Sequence, residues 1–329
     1  LKIAFTICSN NYLAQAKILG DSLLMTNPDY KFYIGLCDEF SEEIDYTFFK
    51  DFEIIRLSEI GLSYFKEITE KYDIIELNTC IKPSYFKYLI SKNDNLSTII
   101  YFDPDIKIFN LLDSIEKELE TNDILLTPHI LHPIGVDQLF PSENLFLNYG
   151  IYNLGFIALN AKNNNSIDLL NWWEDKTMKM GYNRVCEGLF VDQLWINLVP
   201  IFFDKVKVMK EYGFNVAPWN LHERNEIKKI NNQYYMKDKS KLVFFHFSAY
   251  DFKNTKLLSK HYNRYLQINL TQEVFEIYSQ YHQSLIKNNI ENLSKVKCFL
   301  IKKPKINKGE KFKYFILNLF ETIQNTFKK

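Results

Sequence analysis

The sequence predicts an α/β protein, with a mixed central sheet flanked by helices and a helical appendage at its C-terminal end. Three observations predict it. Over the first hundred residues short apolar runs alternate with helical patterns, an order that gives a mainly parallel sheet covered on both faces. Beyond residue 105 further strand patterns recur between helices, so the second half is expected to complete the same sheet. From about Lys260 apolar and aromatic residues (Tyr262, Tyr265, Leu266, Phe275, Tyr278, Leu285) take helical spacing, which divides the chain into 1–258 and an appendage, 259–329.

The elements follow in order. Residues 2–8 read as a strand, 12–25 as a helix, and 32–36 and 53–57 as strands with a helical 41–50 between them. Residues 79–91 read as a helix leading into the strand 97–102. Strands are then expected at 124–127, 152–160, 206–209 and 242–247, with helices at 166–180 and 189–198. There is no internal repeat and no long low-complexity tract.

Composition bounds the class. The chain has 329 residues, 47% hydrophobic and 16% aromatic, enough for a sizeable core, and 24% charged, as in ordinary globular proteins. No run approaches the roughly 18 consecutive apolar residues of a membrane span. The first residues carry no basic region or cleavage site, so no signal peptide is expected. Five scattered cysteines (8, 37, 80, 186, 298) without a C-x-x-C pair predict a reducing cytosol and neither structural zinc nor disulfides. Net charge is zero but uneven: residues 287–329 hold eleven lysines against Glu291, Glu310 and Glu321, so the body is acidic. An acidic body excludes a nucleic-acid partner for it.

Open sheets of this kind bind ligands at the carboxyl ends of their strands. Asp103-Pro104-Asp105 falls there, after the apolar run 97–102. Two carboxylates one residue apart can share a divalent cation, with Asp105 as ligand and Asp103 reaching the metal or the hydroxyls of a nucleotide's ribose. Alone the tripeptide is a weak signal, because Asp-Pro also starts turns. The loop 8–12 falls at another strand end. Backbone groups of Thr6 and Cys8 and the side chain of Asn11, beside Tyr12, are candidates for holding a base and ribose; the plain alternative is a polar turn with Asn as helix cap.

Four further segments carry candidates. Lys82, before Pro83, can neutralise a phosphate or simply be a solvated surface lysine. Asn153 and Gly155 open the strand 152–160, where a glycine permits close backbone approach or marks a strand start. Asp192 and Gln193 stand at the start of an apolar stretch, where Asp can also complement a helix dipole. Residues 214–224 contribute Asn215, Trp219 and His222 to a cleft. His246, in an apolar strand, is either a core histidine or, with the Asp pair, the third ligand of a six-coordinate Mn²⁺ or Mg²⁺ ion.

The order of these segments resembles a known family. The chain is similar to GT-A glycosyltransferases of family eight, the group of glycogenin and the bacterial lipooligosaccharide galactosyltransferases. The likeness runs over about residues 3–250: Asn11-Tyr12, Asp103-Pro104-Asp105, Tyr152-Asn153-Leu154-Gly155, Asp192-Gln193, Phe214-Asn215 and His246. Leu194 stands where the family has a third acid. The Gly- and Lys-rich stretch after the final His is here 247–253, without glycine. The segment 219–224 also looks like a separate branch of bacterial sugar transferases.

The resemblance implies a GT-A, Rossmann-like sheet and transfer of a hexose from a nucleoside diphosphate sugar, a UDP-sugar foremost, to the hydroxyl of a glycan or lipid-linked acceptor in bacterial surface glycan synthesis. It implies a cation on Asp103, Asp105 and His246, with Lys82 assisting the diphosphate, Asp192 on the donor sugar hydroxyls, Gln193 near the anomeric carbon, and retention of configuration. Inversion with Asp192 as base is the alternative, as is a non-catalytic binding protein on the same fold. A nucleotidyltransferase would need a Gly-rich basic loop after the first strand, and 8–12 has neither glycine nor base. The lysines and aromatics between Lys302 and Phe320 suit peripheral contact with an anionic membrane at the inner face, or simple packing.

Overall fold

A computed structural model describes residues 1–300. β1 (Lys2–Cys8) passes through a 3-10 turn into α1 (Leu13–Thr26), followed by β2 (Tyr30–Leu36) and β3 (Glu53–Arg56). Next come α2 (Phe65–Lys71), α3 (Ile74–Cys80), α4 (Lys82–Ser91), β4 (Thr98–Phe102) and β5 (Ile106–Ile108). α5 (Asp113–Leu119), β6 (Ile124–Pro128), α6 (Glu143–Tyr149), β7 (Tyr152–Asn160) and α7 (Asn164–Met180) continue the chain. The short β8 (Asn183–Arg184) and β9 (Leu189–Phe190) precede α8 (Val199–Phe202), β10 (Val206–Val208) and α9 (Leu221–Arg224). β11 (Lys228–Ile230), β12 (Gln233–Tyr235), β13 (Phe244–His246), α10 (Gln272–Lys287) and α11 (Ile290–Leu293) complete it.

The central sheet has seven strands in the order β10-β6-β7-β4-β1-β2-β3. β7 runs antiparallel to both its neighbours and the other pairings are parallel, so the sheet is mixed, as the sequence predicts. Strand order reverses at β1, which lies between β2 and β4. The crevice at the carboxyl ends of β1 and β4 is therefore the topological switch point where such sheets take ligands.

Period-two alternation sends each strand's side chains to two cores. Ile3, Phe5 and Ile7 pack in one layer with α4 and α7, and Ala4 and Cys8 in the other with α1 and α10. In α7 the buried Ser166, Leu169, Leu170, Trp173 and Thr177 form one helical stripe, and in α10 Val274, Ile277, Tyr278, Tyr281 and Leu285 do the same. α10 shares its core with Leu13, Ala14 and Ile18 of α1. α3 is started by a capping box: Asp73 accepts from the amides of Ile75 and Glu76, and Glu76 accepts from the amide of Asp73.

Several expected elements differ. Residues 41–50 form only a 3-10 turn at Tyr46–Phe49, because the buried Ile44 and Phe49 are five apart and share no helical stripe. The expected helix 79–91 is two helices, since Pro83 lacks an amide hydrogen and restarts the helix as α4. The expected helix 189–198 is a strand followed by a 3-10 turn. Val191 between them has φ +39°, which a β-branched residue in a helix never adopts. From Lys260 there is a single 3-10 turn, Arg264–Gln267, before α10. The Lys- and aromatic-rich stretch 302–320, with its expected membrane contact, lies outside the described residues. No helix among the described residues is long and apolar enough to cross a membrane.

Candidate functional site

Backbone register brings together three side chains that are distant in sequence. β4 ends at Phe102, the amide of Asp103 donates to the carbonyl of Gly155 on β7 at 2.8 Å, and the chain turns through Pro104 into β5. β5 pairs antiparallel with β13 so that His246 lies opposite Ile106. The amide of Phe247 then donates to the carbonyl of Asp105 at 2.9 Å. His246 is thereby held beside both carboxylates. Its Nε2 lies 3.0 Å from Asp105 Oδ1 and 3.9 Å from Asp103 Oδ2.

The donor atoms of Asp103, Asp105 and His246 all lie within 4.8 Å of one another. Six ligands about 2.1 Å from a cation stand about 3 Å apart when adjacent and about 4 Å when opposed, and the 3.0 and 3.9 Å from the imidazole to the two carboxylates match those spacings. Two oxygens and an imidazole nitrogen suit Mg²⁺ or Mn²⁺. The imidazole is set by its surroundings. Trp219 meets it edge-on with ring centres 5.0 Å apart, and Gly155 lies directly beneath it. A β-carbon on Gly155 would sit 2.5 Å from His246 Cε1 and 2.7 Å from Asn153 Oδ1, so only glycine fits there.

Behind this cluster is a buried ion pair. Lys82, expected as a phosphate partner or a solvated residue, is 3% exposed. Its Nζ donates to the carbonyl of Leu154 at 3.0 Å and lies 2.9 Å from Asp192 Oδ2 and 3.7 Å from Asp103 Oδ1. Lys82 is the charged partner of Asp192 Oδ2, and both groups are buried. Burial pushes the Asp192 carboxyl up to about 6 against the pull of Lys82. Burial also works against the charge on Lys82, but Asp192 and Asp103 outweigh it and hold the ammonium above its usual range. Tyr101 donates to Asp103 Oδ1 at 2.7 Å and completes the link.

The remaining candidates form an amide network. Asn153 Oδ1 accepts from the amide of Gly155 at 3.1 Å and from Asn215 Nδ2 at 2.9 Å. Asn215, in the left-handed region at φ +52°, also donates to Thr127 Oγ1 at 2.9 Å. Gln193 accepts from the amide of Leu154 at 2.9 Å and donates to the carbonyl of Tyr149 at 2.8 Å. It packs on Gly150, whose φ of +121° and closeness to Gln193 Cγ exclude a side chain.

A cleft of about 730 Å³ opens over the cluster, with Asp103, Asp105, His246, Asn153, Gln193 and Trp219 in its wall. A second hollow of about 200 Å³ adjoins it and shares Tyr12, Asp103 and Pro104; Cys8, Asn11 and Asn78 also line it. Thr6 lines neither, being fully buried in β1 with Oγ1 unpartnered among the described residues. Asp192 is 1% exposed and does not line the cleft, and Lys82, Gly155 and Asn215 stand behind it. His222 lies off the cleft with both ring nitrogens unpartnered among the described residues.

His129, absent from the sequence-based candidates, is in the wall. It stacks on Phe146 with ring centres 4.8 Å apart, faces Asn153 Nδ2 at 3.2 Å, and burial lowers its pKa to about 3. The signal available was the polar pair Thr127 and His129 at the carboxyl end of a strand. Tyr101, whose hydroxyl leaves the same strand as the Asp pair, was legible only as a strand residue.

No protein-family model matches the chain. It is 25% identical over 248 residues to the uncharacterized protein YfnF of Bacillus subtilis (strain 168), covering 74% of this chain and 80% of that one. Its structure is similar to that of the galactosyltransferase LgtC crystallised with donor and acceptor sugar analogues (TM-score 0.40, 17% identity, 66% of this chain and 76% of that one). It is also similar to the glycosyltransferase GlyE of Streptococcus pneumoniae TIGR4 (TM-score 0.45, 13% identity, 90% and 66%). With TM-scores below 0.5, what the cleft does is inferred from its own side chains.

Proposed function

We propose that the protein is a glycosyltransferase that moves a hexose from a nucleoside diphosphate sugar to an acceptor hydroxyl. The observation that carries this reading is the convergence of Asp103, Asp105 and His246 at the switch point, between a small hollow and a large cleft. A diphosphate bridging the two needs a cation at their shared wall. The three residues would hold Mn²⁺ or Mg²⁺, which when bound offsets the charge growing on the departing diphosphate.

The chain's own groups have distinct tasks. Cys8, Asn11 and Tyr12 surround a space sized for a base and ribose, with a UDP-sugar the preferred donor. Gln193, fixed at both ends of its amide, faces the cleft where the sugar would lie. Lys82 and Asp192 act from behind, keeping Asp103 and the Leu154 carbonyl in place. A base role for Asp192 toward the acceptor, and with it inversion, is disfavoured by its absence from the cleft wall, so retention is preferred. We assign the catalytic body to residues 1–258 and the appendage to 259–329, whose described part lends His261 and Tyr262 to the cleft. The cytosol and bacterial surface glycan synthesis remain the setting we favour.

Asp105→Ala tests the reading. Metal-dependent release of nucleoside diphosphate from a sugar nucleotide should disappear, and unchanged turnover would sink it. A non-catalytic sugar-nucleotide binder would bind the donor but release no diphosphate with any acceptor.

A further inference from the structure

Away from the metal cluster the wall of the cleft changes character. Phe140, Tyr149, Phe190 and Tyr262 contribute aromatic surface, and Asn183 and Ser248 contribute neutral polar groups. Among the described lining residues the carboxylates of Asp103 and Asp105 are the charged groups apart from histidines, and no lysine or arginine joins them. Tyr149 and Phe190 are locked edge-to-face with ring centres 4.6 Å apart. Phe140 is 51% exposed and stands in the wall of this cleft beside the other aromatic rings.

The Phe140 loop is held in place by a built clamp. Arg264, 8% exposed, reaches it from beyond β13. Its Nη1 and Nη2 donate to Asp137 Oδ2 and Oδ1 at 2.8 and 2.7 Å, its Nε to the carbonyl of Pro141 at 3.0 Å, and Nη2 also to the carbonyl of Leu139 at 3.3 Å. Asn263 Oδ1 accepts from the amide of Phe140 at 2.7 Å. The amides of Asn263 and Arg264 return to the Phe140 carbonyl at 3.0 and 2.9 Å. A guanidinium fork satisfied on both sides fixes orientation as well as position. An exposed phenyl ring on a loop this firmly tied is a preorganised contact surface.

We propose that this wall is the acceptor subsite, that it takes an uncharged glycoside whose ring faces lie on Phe140 and Tyr262, and that Arg264 is its positioning residue. The inference rests on the transferase reading and names its acceptor class. Sugar rings offer C–H faces that lie well on aromatic surfaces, and hydroxyls that Asn183 and Ser248 can meet. In the working site the cation offsets Asp103 and Asp105, but a carboxylated or phosphorylated acceptor would bring its charge beside the donor diphosphate with no lysine or arginine in the described lining to receive it, and is rejected.

The test uses the full chain, Mn²⁺, the sugar nucleotide it hydrolyses fastest, and two probe acceptors, a neutral methyl hexoside and the matching hexuronide. The expected result is faster diphosphate release with the hexoside and no acceleration with the hexuronide. Equal or better use of the hexuronide, or no acceleration by either, overturns the inference and leaves the transferase reading standing. Failure to hydrolyse or bind any sugar nucleotide overturns both.

In the same assay Phe140→Ala should raise the acceptor KM about tenfold or more, falling on KM rather than kcat, with Phe140→Trp recovering it. Arg264→Lys keeps the charge but loses the fork and should raise the acceptor KM in the same way. If Arg264→Lys does not accumulate, Asp137→Asn probes the clamp from its exposed side. An unchanged acceptor KM in Phe140→Ala overturns the proposal.

Discussion

The metal cluster and the aromatic wall line one cleft, yet they are built differently. Asp103, Asp105 and His246 are placed by backbone pairing: β4 against β7, β5 against β13, and the amide of Phe247 on the carbonyl of Asp105. The part of the aromatic wall around Phe140 and Tyr262 is loop chain held largely by side chains, beside the two backbone bonds from Asn263 and Arg264 to the Phe140 carbonyl. Arg264 and Asn263 tie its tip, and Glu223 accepts from the amides of Leu131 and His132 at 2.9 Å each. A sheet fixes its residues through many cooperative backbone bonds, whereas a clamp depends on one or two groups. The two sides should therefore fail differently when mutated.

The largest effect should come from the cluster. Asp105→Ala is expected to lower metal-dependent diphosphate release by at least about a hundredfold, as removal of one charge-stabilising group does, while the urea midpoint of unfolding barely moves. A large stability loss in that variant would mean that the carboxylate is structural and the contrast false.

Lys82→Met should come next, and its effect should be on stability. It leaves Asp192 buried and unpaired, costing roughly 3–5 kcal/mol, read as a drop in urea midpoint. Adding Asp192→Leu should recover much of that loss, because the unpaired charge is then gone. If the double variant is no more stable than the single, the ion pair does not govern the floor of the cleft.

Gly155→Ala should fall third. The new methyl must displace the His246 ring, so Mn²⁺ affinity measured by calorimetry is expected to drop about ten- to a hundredfold, the range for disturbing a ligand's support. Unchanged affinity would show that the imidazole is not held by the close approach to β7. Asp137→Asn should be the smallest in stability terms, with the urea midpoint barely moved, since the carboxylate it replaces is exposed.

The comparison also explains what could be read from the chain. The strands 2–8, 97–102 and 152–160 were legible because apolar runs and alternation report burial directly. The Asp pair was legible because the chemistry lies within three residues. The role of Lys82 was not: nothing local to Lys82-Pro83 says that Asp192, over a hundred residues later, will sit beside it. The helix expected at 189–198 failed because its apolar residues bury against different partners, with Val191 forced into the left-handed region between them. His129 and Arg264 were missed for the same reason, each being an ordinary polar residue until distant segments close around it.

By itself, then, the sequence determined the alternation of strands and helices, the mixed sheet, and a pair of carboxylates at the end of a buried strand, because these follow from periodicity and near neighbours. Which side chains share a cleft, which charge is buried behind it, and which loop becomes a rigid aromatic face were decided only when the chain closed. Those relations depend on the register of β13 against β5 and on contacts spanning more than a hundred residues, and no local pattern encodes them.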